Sequence, residues 1–144
     1  MNYHKILIAV DGSPISIAAA KKGITLGQLL EAEIALTYVV DTALVIGTNE
    51  TGMDPQTILA EYRNEGRMAL DNLSADMPKK PLTFITEGSP HKNILITAQE
   101  WNADLIVIGT HGRTALKRLL MGSVAEHVLR HSKWPVLIVP ETNA

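Results

Sequence analysis

The stretch from Asp104 to Ser123 reads D-L-I-V-I-G-T-H-G-R-T-A-L-K-R-L-L-M-G-S, and its residue types are those of an anion site. Gly109, Gly112 and the pair Gly122-Ser123 give one excursion three points at which backbone stands without a side chain in front of it. At such points an anion can reach N–H groups directly. Arg113, Lys117 and Arg118 add positive charge, with no acidic residue between Gly109 and Met121. Thr110 and His111 supply side-chain donors inside the same loop. Each glycine alone also reads as an ordinary turn residue, His111 equally as a turn residue, and Lys117 and Arg118 as a solvated face. It is their sequence that points to phosphate: strand, glycines, basic segment, helix start.

The helix start is written as S-V-A-E at 123–126, a capping-box pattern in which Ser123 would be the N-cap and Glu126 would reach back to its amide. Val124, Val128 and Leu129 continue at helical spacing. The first amides of such a helix have no intrahelical acceptor and sit at its positive end, which suits an anion. The best polar complement is Asp11, at the end of the first apolar run: a carboxylate there is suited to ribose hydroxyls or to a Mg²⁺ or Mn²⁺ ion held with the phosphates. An Asx-turn ahead of Ser13 is the local alternative for Asp11. His127 and His131 stand four apart, a metal-compatible spacing with no third ligand evident; a solvated helix face accounts for them more simply. Neither G-x-x-x-x-G-K-[ST] nor G-x-G-x-x-G occurs.

The elements around these residues alternate. Lys5 to Val10 is a strand pattern, followed by Asp11-Gly12, an N-cap at Ser13, Pro14 at the first helical position and a helix to about Leu30 with Ile15, Ala18, Ala19, Leu26, Leu29 and Leu30 as its apolar stripe. Gly23 and Gly27 weaken that helix and point to close packing on a sheet. Ile34 to Val40 is the second strand. Asp41 to Asp54 reads as a loop and partial lid, because it is poorly patterned and leaves the carboxyl end of a strand. Asp54-Pro55 opens a helix whose apolar face is Ile58, Leu59, Tyr62, Met68, Ala69, Leu70 and Leu73. Leu82 to Glu87 is a more polar, edge-like strand, and Gly88-Ser89-Pro90 repeats the turn, cap and proline ahead of a helix carrying Ile94, Leu95, Ala98 and Trp101. Leu105 to Ile108 is a buried strand, a helix runs from Val124 to about His131, and Val136 to Val139 is a last strand between Pro135 and Pro140. Strands alternating with helices predict a single α/β domain over 1–144, a three-layer sandwich on a five-stranded parallel sheet.

Composition narrows the function. The chain has 144 residues, long enough for one well-buried core. Lys and Arg number 13 against 15 Asp and Glu, and aromatics are 4%, so neither a global basic field nor a stacking platform favours nucleic acid. With no cysteine, disulfides and thiolate chemistry are excluded. There is no apolar run of membrane-spanning length and no signal-peptide pattern, so the expectation is a cytoplasmic protein with no membrane partner.

Gly109, Gly112, Gly122 and Ser123 together spell G-x2-G-x9-G-S, which resembles the ATP-binding signature of the universal stress protein family. The resemblance extends to I-L-I-A-V-D-G-S near the start, T-E-G-S-P at 86–90 and the closing P-V-L-I-V-P. It implies a Rossmann-like fold with strand order 3-2-1-4-5, a ribose contact at Asp11 and an adenine pocket lined by Ala9 and Val39, the family often having proline where this chain has Ala9. It completes a nucleotide site of Ala9, Val10, Asp11, Val39, Gly109, Thr110, His111, Gly112, Arg113, Gly122, Ser123 and Val124, with ATP as the ligand and AMP as the alternative. In that strand order Val136 to Val139 is an apolar, uncharged edge, and such an edge is normally paired or protected, so the expectation is a homodimer through this strand. The leading reading is a nucleotide-responsive homodimeric module. A slow ATPase or phosphotransferase using Asp11, Mg²⁺ and Arg113 or Lys117, and a nucleotide-free dimerisation scaffold, are the alternatives.

Overall fold

The computed structural model describes residues 3–47, 52–111 and 121–141. In chain order the described elements are β1 (Lys5–Val10), α1 (Pro14–Leu29), β2 (Glu33–Asp41), α2 (Thr42–Gly47), α3 (Pro55–Ser74), β3 (Leu82–Gly88), α4 (Pro90–Trp101), β4 (Leu105–Gly109), α5 (Ser123–His131) and β5 (Val136–Val139). The five strands form one parallel sheet in the order β3-β2-β1-β4-β5, as expected.

Two-residue alternation divides the apolar strand residues between two cores. Ile6, Ile8 and Val10 of β1 join Ile34, Leu36, Tyr38 and Val40 of β2 and Leu105 and Val107 of β4 beneath α1, α2 and α3. Leu7, Ala9, Ala35, Ile106 and Ile108 face the other way, onto Ile94 and Ala98 of α4 and Ala125 and Val128 of α5. A parallel sheet covered on both faces needs both rows apolar, which is why β1 and β4 read as continuous runs. At the amino edge the Asp104 carboxylate accepts from the amides of His4 (2.7 Å) and Lys5 (2.8 Å), pinning the start of β4 to the start of β1.

The helices correct several expectations. In α1 the buried positions are Ser16, Ala19, Ala20, Gly23, Ile24 and Gly27, whereas Leu29 is 78% exposed and Leu30 lies beyond the last turn. The helix rests on its small residues, so the stripe is rotated away from the larger side chains. Met68 of α3 and Leu129 of α5 likewise face solvent. Of the 41–54 segment, residues 42–47 are helix α2 rather than loop, begun by Asp41 Oδ1 accepting from the Ala43 amide (3.0 Å) and anchored by Val45 in the core. Residues 48–51 lie outside the described part, and the lid reading with them. Ser13 caps α1 by accepting from the Ser16 amide (3.2 Å), but Ser89 makes no such bond, its hydroxyl facing His91 Nδ1 instead (3.3 Å).

Close helix–sheet approach explains the helical glycines. A Cβ on Gly23 would meet Val107 Cγ1 at 2.9 Å, and one on Gly27 would meet Ile34 Cδ1 at 2.7 Å. Gly66 in α3 is tighter: its Cβ would stand 2.5 Å from Tyr38 Cδ1, 2.8 Å from Cε1 and 2.9 Å from Cγ, atoms of a buried ring that cannot swing aside as a side-chain tip can. Gly66→Ala therefore sets a gain of about 1 kcal/mol in helix propensity against an overpacking cost of about 1–3 kcal/mol. The expected net result is a melting temperature lower by roughly 2–8 °C. Thermal denaturation at or above the wild-type temperature would show that α3 can lift off Tyr38 without loss.

Candidate functional site

The site is made by a divergence at the carboxyl edge of the sheet. β1 stays paired with β2 as far as Val10 and Tyr38, but its ladder with β4 ends at Ile8 and Val107. Past that point the chain leaves β1 toward α1 on one side of the sheet, and leaves β4 toward the glycine loop. The crevice between two neighbouring strands that depart in opposite directions is where open α/β sheets take ligands.

Ala9 and Val10 are buried at the end of β1, and Val39 is half-buried on β2. Ala9 and Val39 contribute to the core beneath α4 and α5. Asp11 follows, half-buried, its amide donating to Ser16 Oγ (2.8 Å) and its Oδ1 accepting from the Ser13 amide (2.9 Å) and hydroxyl (2.6 Å). The Asx-turn alternative is thus present, and it fixes the carboxylate at the mouth of the crevice.

Across from it, Gly109 ends β4, and the Thr110 amide donates to the Val139 carbonyl (3.0 Å). His111 is 6% exposed; its Nδ1 lies 3.2 Å from Thr110 Oγ1 and its Nε2 has no hydrogen-bond partner. Thr37 Oγ1, one strand position before Tyr38, is the other such buried side-chain atom among the described residues. Buried polar atoms are nearly always satisfied, so an orphaned imidazole nitrogen beside the crevice marks a place for a polar ligand or water. Gly112 and Arg113, with Lys117 and Arg118, fall outside the described residues.

The chain returns at Gly122, whose amide donates to the Thr110 carbonyl (2.5 Å), so the two ends of the glycine loop are tied together. Here the structure overturns the capping box. Gly122 is the N-cap (φ −62°, ψ 154°), its carbonyl accepts from the Glu126 amide (3.0 Å), and no side chain caps the helix. Ser123 is exposed and is the first helical residue, and the Glu126 carboxylate pairs with Arg130 (2.8 Å). Moving the cap back by one residue leaves the amides of Ser123, Val124 and Ala125 without intrahelical acceptors and with no carboxylate competing for them. A phosphate cradle gains by the change.

Sequence reasoning missed His91. It stacks on His127 with ring centroids 4.5 Å apart, in a group with His131 that no spacing could reveal, since 36 residues separate His91 from His127. Among the described residues no three potential ligands stand ready to hold a metal. Burial, then the fields of His127, Lys92 and His131, lower the His91 pKa below its usual 6.5. A base whose folded pKa is depressed contributes stability that is complete above its unfolded pKa and is lost as pH falls from about 6.5 toward the folded value. Melting temperature should accordingly drop between pH 7 and pH 5.5, and His91→Gln should flatten that part of the curve. Superimposable curves for the two proteins would remove His91 as a source of acid sensitivity.

Comparison with known proteins agrees with this geometry. Residues 2–140 match the Universal stress protein family. Universal stress protein MJ0531 of Methanocaldococcus jannaschii is 39% identical over 140 residues, covering 95% of this chain and 82% of that one. Universal stress protein YxiE of Bacillus subtilis is 34% identical, covering 95% and 99%. Among solved structures, that of MJ0577 superposes with a TM-score of 0.84 at 30% identity over the whole of both chains. A universal stress protein in complex with cAMP superposes with a TM-score of 0.70 at 25% identity, covering 97% and 98%. In sheet order, helix placement and the span of its sequence match, this chain belongs to the universal stress protein family.

Proposed function

We propose that the chain binds ATP, with AMP as the alternative nucleotide, in the crevice between β1 and β4, and that it acts in the cytoplasm as a nucleotide-responsive homodimeric module of the stress response. The observation that carries this reading is the opposition of a half-buried carboxylate, Asp11, to three amides without intrahelical acceptors at the start of α5. Adenine lies against Ala9, Val10 and Val39, the ribose hydroxyls bond the Asp11 carboxylate, and the phosphates take the Ser123, Val124 and Ala125 amides. Gly109, Thr110, His111, Gly112 and Arg113 close the loop over them. A Mg²⁺ or Mn²⁺ ion would enter with the nucleotide, held by phosphate oxygens and Asp11. The adenine nucleotide carried by a solved relative of 25% identity supports the ligand class.

No turnover is required by this reading: the groups named bind and orient, and a nucleotide-dependent change in the loop is enough for signalling. Calorimetry with ATP and Mg²⁺, together with mass spectrometry of the small molecules that survive native purification, tests it. The expected result is saturable binding of one nucleotide per chain, lost in Asp11→Ala. An empty site with no heat and no thermal shift on adding ATP would leave the nucleotide-free scaffold as the better account.

A further inference from the structure

Three histidines gather on one surface of the α4–α5 pair. His91 lies in the first turn of α4, and His127 and His131 are one turn apart on α5. Their ring centroids stand 4.5 Å (His91 to His127), 6.2 Å (His127 to His131) and 6.4 Å (His91 to His131) apart. Each Nδ1 is already engaged. That of His127 lies 2.7 Å from the Ser123 carbonyl, that of His131 2.9 Å from the His127 carbonyl, and that of His91 3.3 Å from the Ser89 hydroxyl. Because a carbonyl oxygen only accepts, Nδ1 of His127 and of His131 must carry the proton, which leaves Nε2 of each with the lone pair. Among the described residues none of the three Nε2 atoms makes a hydrogen bond. A proton held on one nitrogen by a backbone or hydroxyl partner, with the other nitrogen open, is how metal-ligating histidines are oriented.

We propose that His91, His127 and His131 form a site for a borderline transition-metal ion, Zn²⁺ above all, bound through their Nε2 atoms with a fourth position open to water. Three imidazoles at the usual Zn–N distance of about 2.0–2.1 Å in tetrahedral geometry place their ring centroids about 5 Å apart. The observed spacings fall on either side of that value. What differs is ring orientation: His91 and His127 stack at 22°, and His127 and His131 at 10°, so their lone pairs run side by side instead of meeting. That is why no ready-made metal arrangement exists among the described residues. His127 and His131 are exposed and His91 is half-buried, so closing the site asks for side-chain rotation and no backbone movement.

The ligand set also decides the metal. Three neutral imidazoles suit Zn²⁺, Ni²⁺ or Cu²⁺ and not Mg²⁺ or Ca²⁺, so the site is distinct from any cation that accompanies nucleotide phosphates. Of the charged groups near it, Lys92 opposes a cation beside His91, while Arg130 is neutralised by its pair with Glu126. A bound ion would tie the first turn of α4 to α5 one turn behind Ser123, the residue whose carbonyl His127 already holds.

The test uses the full-length, tag-free protein without nucleotide at pH 7.5, so its outcome does not depend on the ATP reading. ZnCl₂ is titrated calorimetrically, and CoCl₂ is followed by visible absorption. One Zn²⁺ per chain is expected, with intense tetrahedral-type cobalt bands. His91→Ala and His131→Ala should each weaken binding at least as much as the roughly 10–100-fold that loss of an outer hydrogen-bond partner costs a metal site. His4→Ala, at an exposed histidine elsewhere, should change nothing. Circular dichroism establishes that each variant is folded. Absence of saturable binding, unchanged affinity in folded His91→Ala, or full competition by Mg²⁺ would each overturn the proposal.

Discussion

Gly122→Val is expected to remove nucleotide binding while leaving the protein folded. The φ of −62° at Gly122 is one that any residue adopts, so conformational freedom is not what glycine supplies there. What remains is space. Gly122 is the N-cap directly ahead of the Ser123 and Val124 amides, and a branched side chain at that point would fill the volume that a phosphate needs. Losing two charge-assisted hydrogen bonds, each worth about 1.5–3 kcal/mol, corresponds to a fall in affinity of more than ~100-fold. Ser123→Ala is the contrasting variant: the Ser123 hydroxyl caps nothing, so stability should hardly change, and ATP should bind more weakly but still measurably. Because Glu126 is paired with Arg130 and not with the Ser123 amide, no tightening is expected from Glu126→Gln. Calorimetry that finds wild-type ATP affinity in folded Gly122→Val would refute the placement of phosphate at α5.

Leu137→Lys is expected to turn the dimer into a monomer. β5 is an outer strand of the sheet, hydrogen-bonded to β4 on one side, and its four residues are all aliphatic, with Leu137 38% exposed. The opposite outer strand, β3, is more polar: it carries Thr83, Thr86 and Glu87, the last in an ion pair with Arg63 of α3 (2.5 Å). Of the two edges β5 is therefore the one that needs covering, and two copies related by a two-fold axis would pair it antiparallel. A lysine at the centre of that contact would meet its own copy across the axis, adding like-charge repulsion to the loss of apolar contact. Light scattering at micromolar concentration should give the dimer mass for the wild type and the monomer mass for the variant. Nucleotide affinity should be unchanged, since Asp11 and Val39 lie on other strands. A wild-type monomer, or an undisturbed dimer in Leu137→Lys, would refute the assignment.

The alternation of strands and helices was determined by the sequence alone. Backbone sterics, proline at the first helical position of α1, α3 and α4, and uninterrupted β-branched runs act over a few residues and need no partner to be read. The glycine spacing around Gly109 and Gly122 was equally local, and so was Asp11 at a strand end. The tertiary structure decided what depends on how one element seats on another. It put Leu29 and Met68 into solvent, because α1 and α3 approach the sheet through Gly23, Gly27 and Gly66, whose value is visible only against Val107, Ile34 and Tyr38. It shifted the α5 cap from Ser123 to Gly122, because the Gly122 amide is drawn to the Thr110 carbonyl at the far end of the loop. It also brought His91 onto His127, a contact fixed by the packing of α4 beside α5 on the shared face of the sheet, and no periodicity within either helix encodes that offset.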